Sequence, residues 1–136
     1  MKVDIHLHFK GNCEEAFKFY SQLLRGKIES MFRYGDSPAA AKMPPGYQDK
    51  LVHATLILGD QHIAGADVAD DYCKPQGFQL IVQLDDLEEG QRVFDQLAKG
   101  GEVEMAFQKT FWSPGYGIVR DRFGVPWEIN VAGAST

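Results

Sequence analysis

The chain has 136 residues, 44% hydrophobic and 24% charged, the composition of an ordinary globular domain that can bury a core without covalent staples. Its net charge is −5 with Lys and Arg scattered, which excludes the basic stripe of a nucleic-acid surface, and no apolar run approaches the roughly 20 residues of a membrane span. The start, Met1-Lys2-Val3-Asp4-Ile5-His6, lacks the apolar stretch of a signal peptide. Two cysteines, Cys13 and Cys73, are too few for a disulfide framework and lack CxxC spacing, so a reducing, cytoplasmic setting and burial as small hydrophobes are expected.

Residues 3–9 alternate Val3, Ile5, Leu7 and Phe9 with Asp4, His6 and His8, which predicts a strand with one apolar and one polar face. Gly11-Asn12 ends it, and Asn12 is placed to cap a helix whose first turn carries Glu14 and Glu15. Ala16, Phe17, Phe19, Tyr20, Leu23 and Leu24 recur at helical spacing, and Gly26 sits where a left-handed C-terminal residue belongs. Residues 27–34 read as a strand. Residues 35–50 hold Gly35, Pro38, Pro44, Pro45 and Gly46 and read as a loop, of a length that often serves as a lid or binding loop. Residues 51–58 and 61–67 form a hairpin around Gly59-Asp60.

The order then repeats. Residues 77–84 read as a strand, and Asp85 or Asp86 caps a helix carrying Leu87, Val93, Phe94 and Leu97 that Gly100-Gly101 closes. Residues 102–108 are a strand, Trp112-Ser113-Pro114-Gly115 a loop and 117–121 a strand. Asp121-Arg122-Phe123-Gly124 is a tight turn with Gly supplying positive φ, and 125–131 is the last strand. Strand, helix and three strands thus occur twice, in residues 1–70 and 75–136, with few identities, so the repeat is one of pattern. The expected fold class is α+β: a single domain of two βαβββ modules, side by side as a half-open barrel with a cavity on its concave face.

Three signatures accompany the duplication: Gly11-Asn12-Cys13-Glu14-Glu15-Ala16 leading to Phe19-Tyr20, Val52-His53-Ala54-Thr55-Leu56 leading to Gly59-Asp60, and Thr110-Phe111-Trp112-Ser113-Pro114-Gly115-Tyr116-Gly117 leading to the segment from Asp121 to Asn130. Together they resemble the vicinal-oxygen-chelate superfamily of glyoxalases, bleomycin-resistance proteins and extradiol dioxygenases, and within it the PhnB-like branch, often labelled by similarity to a demethylubiquinone methyltransferase. The resemblance covers essentially the whole chain. It implies a glyoxalase-like fold and a homodimer, which would also cover exposed sheet edges. It also implies one divalent ion (Zn, Ni, Mn or Fe) held by a His, Glu or Gln from the first and last strand of each module, with open positions for two substrate oxygens.

Strand facing sets the candidates. On the first strand the position falls on Asp4 or His6. Gln79 and Glu128 take the positions in the second module, so His6, Gln79 and Glu128 are the candidate metal ligands and Glu128 the candidate catalytic group. The fourth strand, Ile63-Ala64-Gly65-Ala66, offers no ligand except at its ends, His62 and Asp67. His8, Arg33, His53, Trp112, Tyr116 and Arg120 are candidate ligand-binding residues, the arginines for an anion and the aromatics as a pocket wall. Blander readings stand beside these. His6 and His8 fit the solvated side of an edge strand. His53 fits a hydrogen bond that fixes a strand, and an Arg120–Glu128 pair would account for a carboxylate in an apolar strand. Two functions follow: a metal-assisted lyase, isomerase or transferase acting on a small oxygenated molecule, or a metal-free module sequestering a small, partly aromatic ligand. A structural or regulatory protein with a vestigial cavity is a third.

Overall fold

The computed structural model describes residues 1–133. Two compact units divide the chain, Met1–Cys73 and Lys74–Thr136. The first contains β1 (Ile5–Phe9), α1 (Cys13–Leu23), β2 (Lys27–Arg33), β3 (Leu51–Leu58) and β4 (Gln61–Asp67). The second contains β5 (Leu80–Leu84), α2 (Leu87–Ala98), β6 (Glu102–Gln108), β7 (Gly115–Arg120) and β8 (Pro126–Val131). The sheet orders are β1-β4-β3-β2 and β5-β8-β7-β6. In each, the first pair is parallel and the others antiparallel, so the duplication read from sequence extends to the hydrogen-bond ladders.

Period-two patterning sorts the side chains as the sequence predicts. Leu7 and Phe9 are buried against α1, with the Phe9 and Phe17 rings edge to face at 5.8 Å, while His6 and His8 are exposed on the other side. Helix α1 buries Cys13, Ala16, Phe17, Tyr20 and Leu23, and α2 buries Gly90, Val93, Phe94 and Leu97. Cys13 is thus a core residue, and burial pushes its thiol up. Cys73 is exposed, against the expectation of burial.

The helix ends differ from the local reading. Asn12 makes no side-chain cap hydrogen bond. The N-terminus of α1 is instead satisfied from across the unit, where the buried Asp67 accepts from the Cys13 amide through Oδ1 and from the Leu51 amide through Oδ2, both at 2.9 Å. A carboxylate offers an acceptor to each, so one side chain caps α1 and anchors the start of β3. In α2 the expected cap is present, with Asp86 accepting from the Glu89 amide at 2.9 Å. At the end of α1, Arg25 and not Gly26 takes the left-handed conformation, with φ of 54°. Gly26 is needed for closeness, because a Cβ there would lie 2.4 Å from Leu58 Cδ2 and 2.5 Å from the Ile57 carbonyl oxygen.

The segment between β2 and β3 is tied to α1 and to the end of β4 by hydrogen bonds. The Tyr34 hydroxyl donates to the Asp67 carbonyl at 2.6 Å and the Tyr47 hydroxyl to the Val68 carbonyl at 2.9 Å. Arg33 donates to both carboxylate oxygens of Glu14, at 2.8 and 3.1 Å, and to the Asp49 carbonyl at 2.8 Å. The hydrogen bonds from Arg33, then Lys18, hold the Glu14 carboxyl down at about 2. In the second unit the Asp121–Gly124 turn closes as expected, with the Gly124 amide donating to the Asp121 carbonyl at 3.0 Å and Gly124 at φ of 89°. The buried Asp121 carboxylate does more than turn the chain. It accepts from the Phe123 and Val125 amides at 2.8 and 3.0 Å and from Trp127 Nε1 at 2.8 Å.

Two predictions follow from these carboxylates. Asp67→Asn and Asp121→Asn each place an amide N–H2 against a buried donor and should destabilise the fold by ~1–3 kcal/mol, read as a lower urea midpoint by tryptophan emission. Unchanged midpoints in both would contradict the assigned roles. The Glu14 carboxyl, held below its ordinary value of 4.5, gives a contribution that is full above that value and lost as pH falls toward about 2. Amide protection of residues 34–50 should fall over that window in the wild type, and the fall should be absent in Glu14→Gln, which is loosened throughout.

Candidate functional site

Each sheet has a face turned away from its helix, and most of the candidate residues divide between these two faces. On the first sheet, His6 pairs in register with Ala64 and His8 with Ala66, while His53 stands opposite Phe32. The His6 ring centroid lies 5.2 Å from that of His8 and 5.8 Å from that of His53, both edge to face. Partial burial, with His8 and His53 adding to it, holds the His6 imidazole below its ordinary value, so the ring favours its neutral form.

On the second sheet the face carries Tyr116, Ile118 and Arg120 of β7, Glu128 and Asn130 of β8, and Ile81 and Gln83 of β5, each strand contributing every second residue. Tyr116 and Glu128 are neighbours on this face, and hydrogen bonding to the Glu128 carboxylate first, then burial, pushes Tyr116 up to about 12, so the phenol keeps its proton. Trp112 lies edge to face against Tyr116, with centroids 5.0 Å apart, and Phe111 against Trp112 at 4.8 Å. Trp112 is 49% exposed and Phe111 97% exposed. The loop carrying them is fixed by Ser113, which is buried. Its Oγ lies 2.7 Å from the carbonyls of Gly115 and Val131 and accepts from the Gly115 amide at 3.1 Å.

The structure therefore brings together His6, His8 and His53 on one face, and Trp112, Tyr116 and Glu128 on the other. The two arginines are engaged by other groups. Arg33 is committed to Glu14 and Asp49. Arg120 Nη1 donates to the carbonyls of Pro75 and Gly124, both at 2.6 Å, and its Nε lies 3.9 Å from Glu104. Glu128 is thus paired by Tyr116, and Arg120 straps the chain entering β5 to the Asp121 turn. Gln79 lies ahead of β5, which begins at Leu80 and not at residue 77, since Gly77 at φ of 85° interrupts the extended run.

Register also tests the implied metal. His6 faces Ala64 in the first unit as Ile81 faces Glu128 in the second. The counterpart of Glu128 is therefore Ala64, and the counterpart of Gln79, two residues before Ile81, is Asp4 and not His6. The fourth strand's carboxylate, Asp67, is consumed by two backbone amides, and His62 lies beside Lys2, its Nδ1 2.6 Å from the Lys2 Nζ. Among the described residues no group of three or more His, Cys, Asp or Glu side chains is placed to hold a metal ion. Of the four positions the resemblance implies, Asp4 and Glu128 carry carboxylates, Gln79 an amide and Ala64 no donor. Asn130 is the residue that the sequence reading passed over: its Oδ1 is buried with no hydrogen-bond partner.

Residues 1–130 match the family described as 3-demethylubiquinone-9 3-methyltransferase. The chain is 37% identical to Protein YjdN of Escherichia coli (strain K12), over 96% of this chain and 95% of that one. It is 30% identical to a putative 3-demethylubiquinone-9 3-methyltransferase, PhnB protein, from Bacillus cereus, with a TM-score of 0.84 over 97% of this chain and all (100%) of that one. A glyoxylase/bleomycin resistance protein/dioxygenase domain from Frankia sp. EAN1pec shares the fold, with a TM-score of 0.66 at 13% identity over 98% of each chain. No helix of the described residues is long and apolar enough to cross a membrane. The duplicated βαβββ pattern and the match over nearly its whole length establish that the chain belongs to the PhnB-like, 3-demethylubiquinone-9 3-methyltransferase family, on a glyoxalase-like fold.

Proposed function

We propose that the chain is a metal-free binding protein for a small, flat, partly aromatic molecule, held on the open face of the β5–β8 sheet. The observation that carries this is the half-exposed Trp112 set edge-on to Tyr116, whose phenol is fixed by Glu128. Aromatic surface left in water is costly at about 25 cal/mol per Å², and a flat ring laid against Trp112 and Ile81 recovers it. Ile81 is 53% exposed on the same face, next to Glu128 in register. Because Ser113 fixes the loop, the platform is formed before the ligand arrives, which lowers the entropy cost of binding. Glu128 supplies a polar contact that orients the ligand, the role otherwise assigned to it as a catalytic group.

Titration with 1,2-dimethoxybenzene should quench tryptophan emission with one-to-one stoichiometry and the same Kd with or without EDTA. Trp127 is buried against Asp121, so the signal belongs to Trp112, and Trp112→Ala, read by calorimetric titration, should weaken binding about tenfold or more. Abolition of binding by EDTA, or no binding to the wild type, would refute the reading.

A homodimer belongs to the same proposal. Strand β6 is an outer strand of its sheet, with Val103 and Met105 51% and 38% exposed, and an edge of that kind is commonly covered by a second chain. Light scattering at micromolar concentration should give twice the chain mass of 15.2 kDa, and a monomer would remove this part of the proposal.

A further inference from the structure

The charges on the second sheet point to the chemistry of the ligand. Strands β5 to β8 carry three carboxylates, Glu102, Glu104 and Glu128, and one cation, Arg120. Arg120 is held among the β6 acids. It stands opposite Glu102 in register, its Nε lies 3.9 Å from Glu104, and its Nη1 donates to the Pro75 and Gly124 carbonyls. Among the described residues no ion pair reaches Glu128. Tyr116 is a neutral partner, so it leaves the carboxylate its full charge. Glu128 is half-buried, and a charge partly withdrawn from water is best met by an opposite one. The Gln83 and Asn130 amides on the same face can donate or accept, so they do not select between charges.

The aromatic groups have the same preference. The Trp112 and Tyr116 rings meet at 74° with centroids 5.0 Å apart, so they form two walls of a corner, and Trp112 is 49% exposed. The face of an aromatic ring is electron-rich and attracts a cation, most strongly for tryptophan. Ile81, 53% exposed and beside Glu128 in register, adds an apolar floor without charge.

We infer that the molecule held on this face is a flat ring bearing a positively charged nitrogen, laid against the Trp112–Tyr116 corner with Glu128 as its counter-ion. The inference rests on the proposed binding reading and adds the ligand class to it. A neutral ring gains only the apolar contact. An anionic ring meets repulsion from the carboxylate and from both ring faces.

The test compares N-methylquinolinium, a permanent cation, with quinoline, which is uncharged in mildly alkaline buffer and has nearly the same outline, by calorimetric titration of the full chain. The wild type should favour the cation by about tenfold or more. Glu128→Gln and Glu128→Ala should each cut the ratio of the two dissociation constants by about fivefold or more, with circular dichroism showing the native fold. If a variant unfolds, the wild-type comparison decides by itself. Equal binding of the two rings, a preference for quinoline, or folded variants that keep the wild-type ratio would overturn the inference while the binding reading stands. If the wild type binds neither ring, both fall together.

Discussion

A buried carboxylate ties each unit together, and the site depends on where those two carboxylates are spent. Asp67, at the end of β4, joins the start of α1 to the start of β3 through two amide donors separated by 38 residues of chain, Cys13 and Leu51. Because the peptide donors at a helix start have no partners within the helix, this contact sets the angle at which α1 leaves β1. Asp121 does comparable work by another route, closing the turn between β7 and β8 and fixing the Trp127 indole. With Trp127 facing the helix side, strict alternation turns Glu128 to the open face. Glu128 is thus aimed by a structural carboxylate seven residues earlier.

The features legible in the sequence were those that local periodicity encodes. Alternation in residues 3–9 and 125–131, helical spacing from Ala16 to Leu24, and Gly-rich turns at residues 59 and 124 fix the duplicated module and the facing of every strand. The resemblance added the family. Contacts between residues far apart in sequence were not legible. Asn12 looks like a cap in isolation, yet Asp67 does its work from 54 residues away. Arg33 looks like an anion anchor until Glu14, on the neighbouring helix, claims both its donor directions. Gly26 looks like a left-handed cap because only glycine adopts that conformation freely, whereas here the close passage of β3 demands it. Asn130 gives no signal in sequence, since an unmet hydrogen bond is visible only once all its neighbours are in place.

The Tyr116–Glu128 contact governs the electrostatics of the second face. A carboxylate in a strand that also holds Pro126, Trp127, Ile129, Asn130 and Val131 must be paired or pay for its desolvation. A protonated phenol pairs it without cancelling its charge, in contrast to the arginine anticipated from sequence. The charge remains available to a ligand, and the tyrosine ring that holds it is part of the same aromatic wall. Arg120, freed from that duty, binds carbonyls instead and rigidifies the turn that Asp121 closes.

Duplication gives the two units the same four open-face positions on their parallel strand pairs, and those positions have diverged completely. His6 corresponds to Ile81, His8 to Gln83, Ala64 to Glu128 and Ala66 to Asn130. One unit thus carries two imidazoles beside two methyl groups, the other an apolar side chain and an amide beside a carboxylate and a second amide. What the register preserves is geometry: four side chains on one face of a rigid parallel ladder, each free to change without disturbing the core behind it. The divergence leaves a carboxylate and an amide together on one strand of the second unit, Glu128 and Asn130.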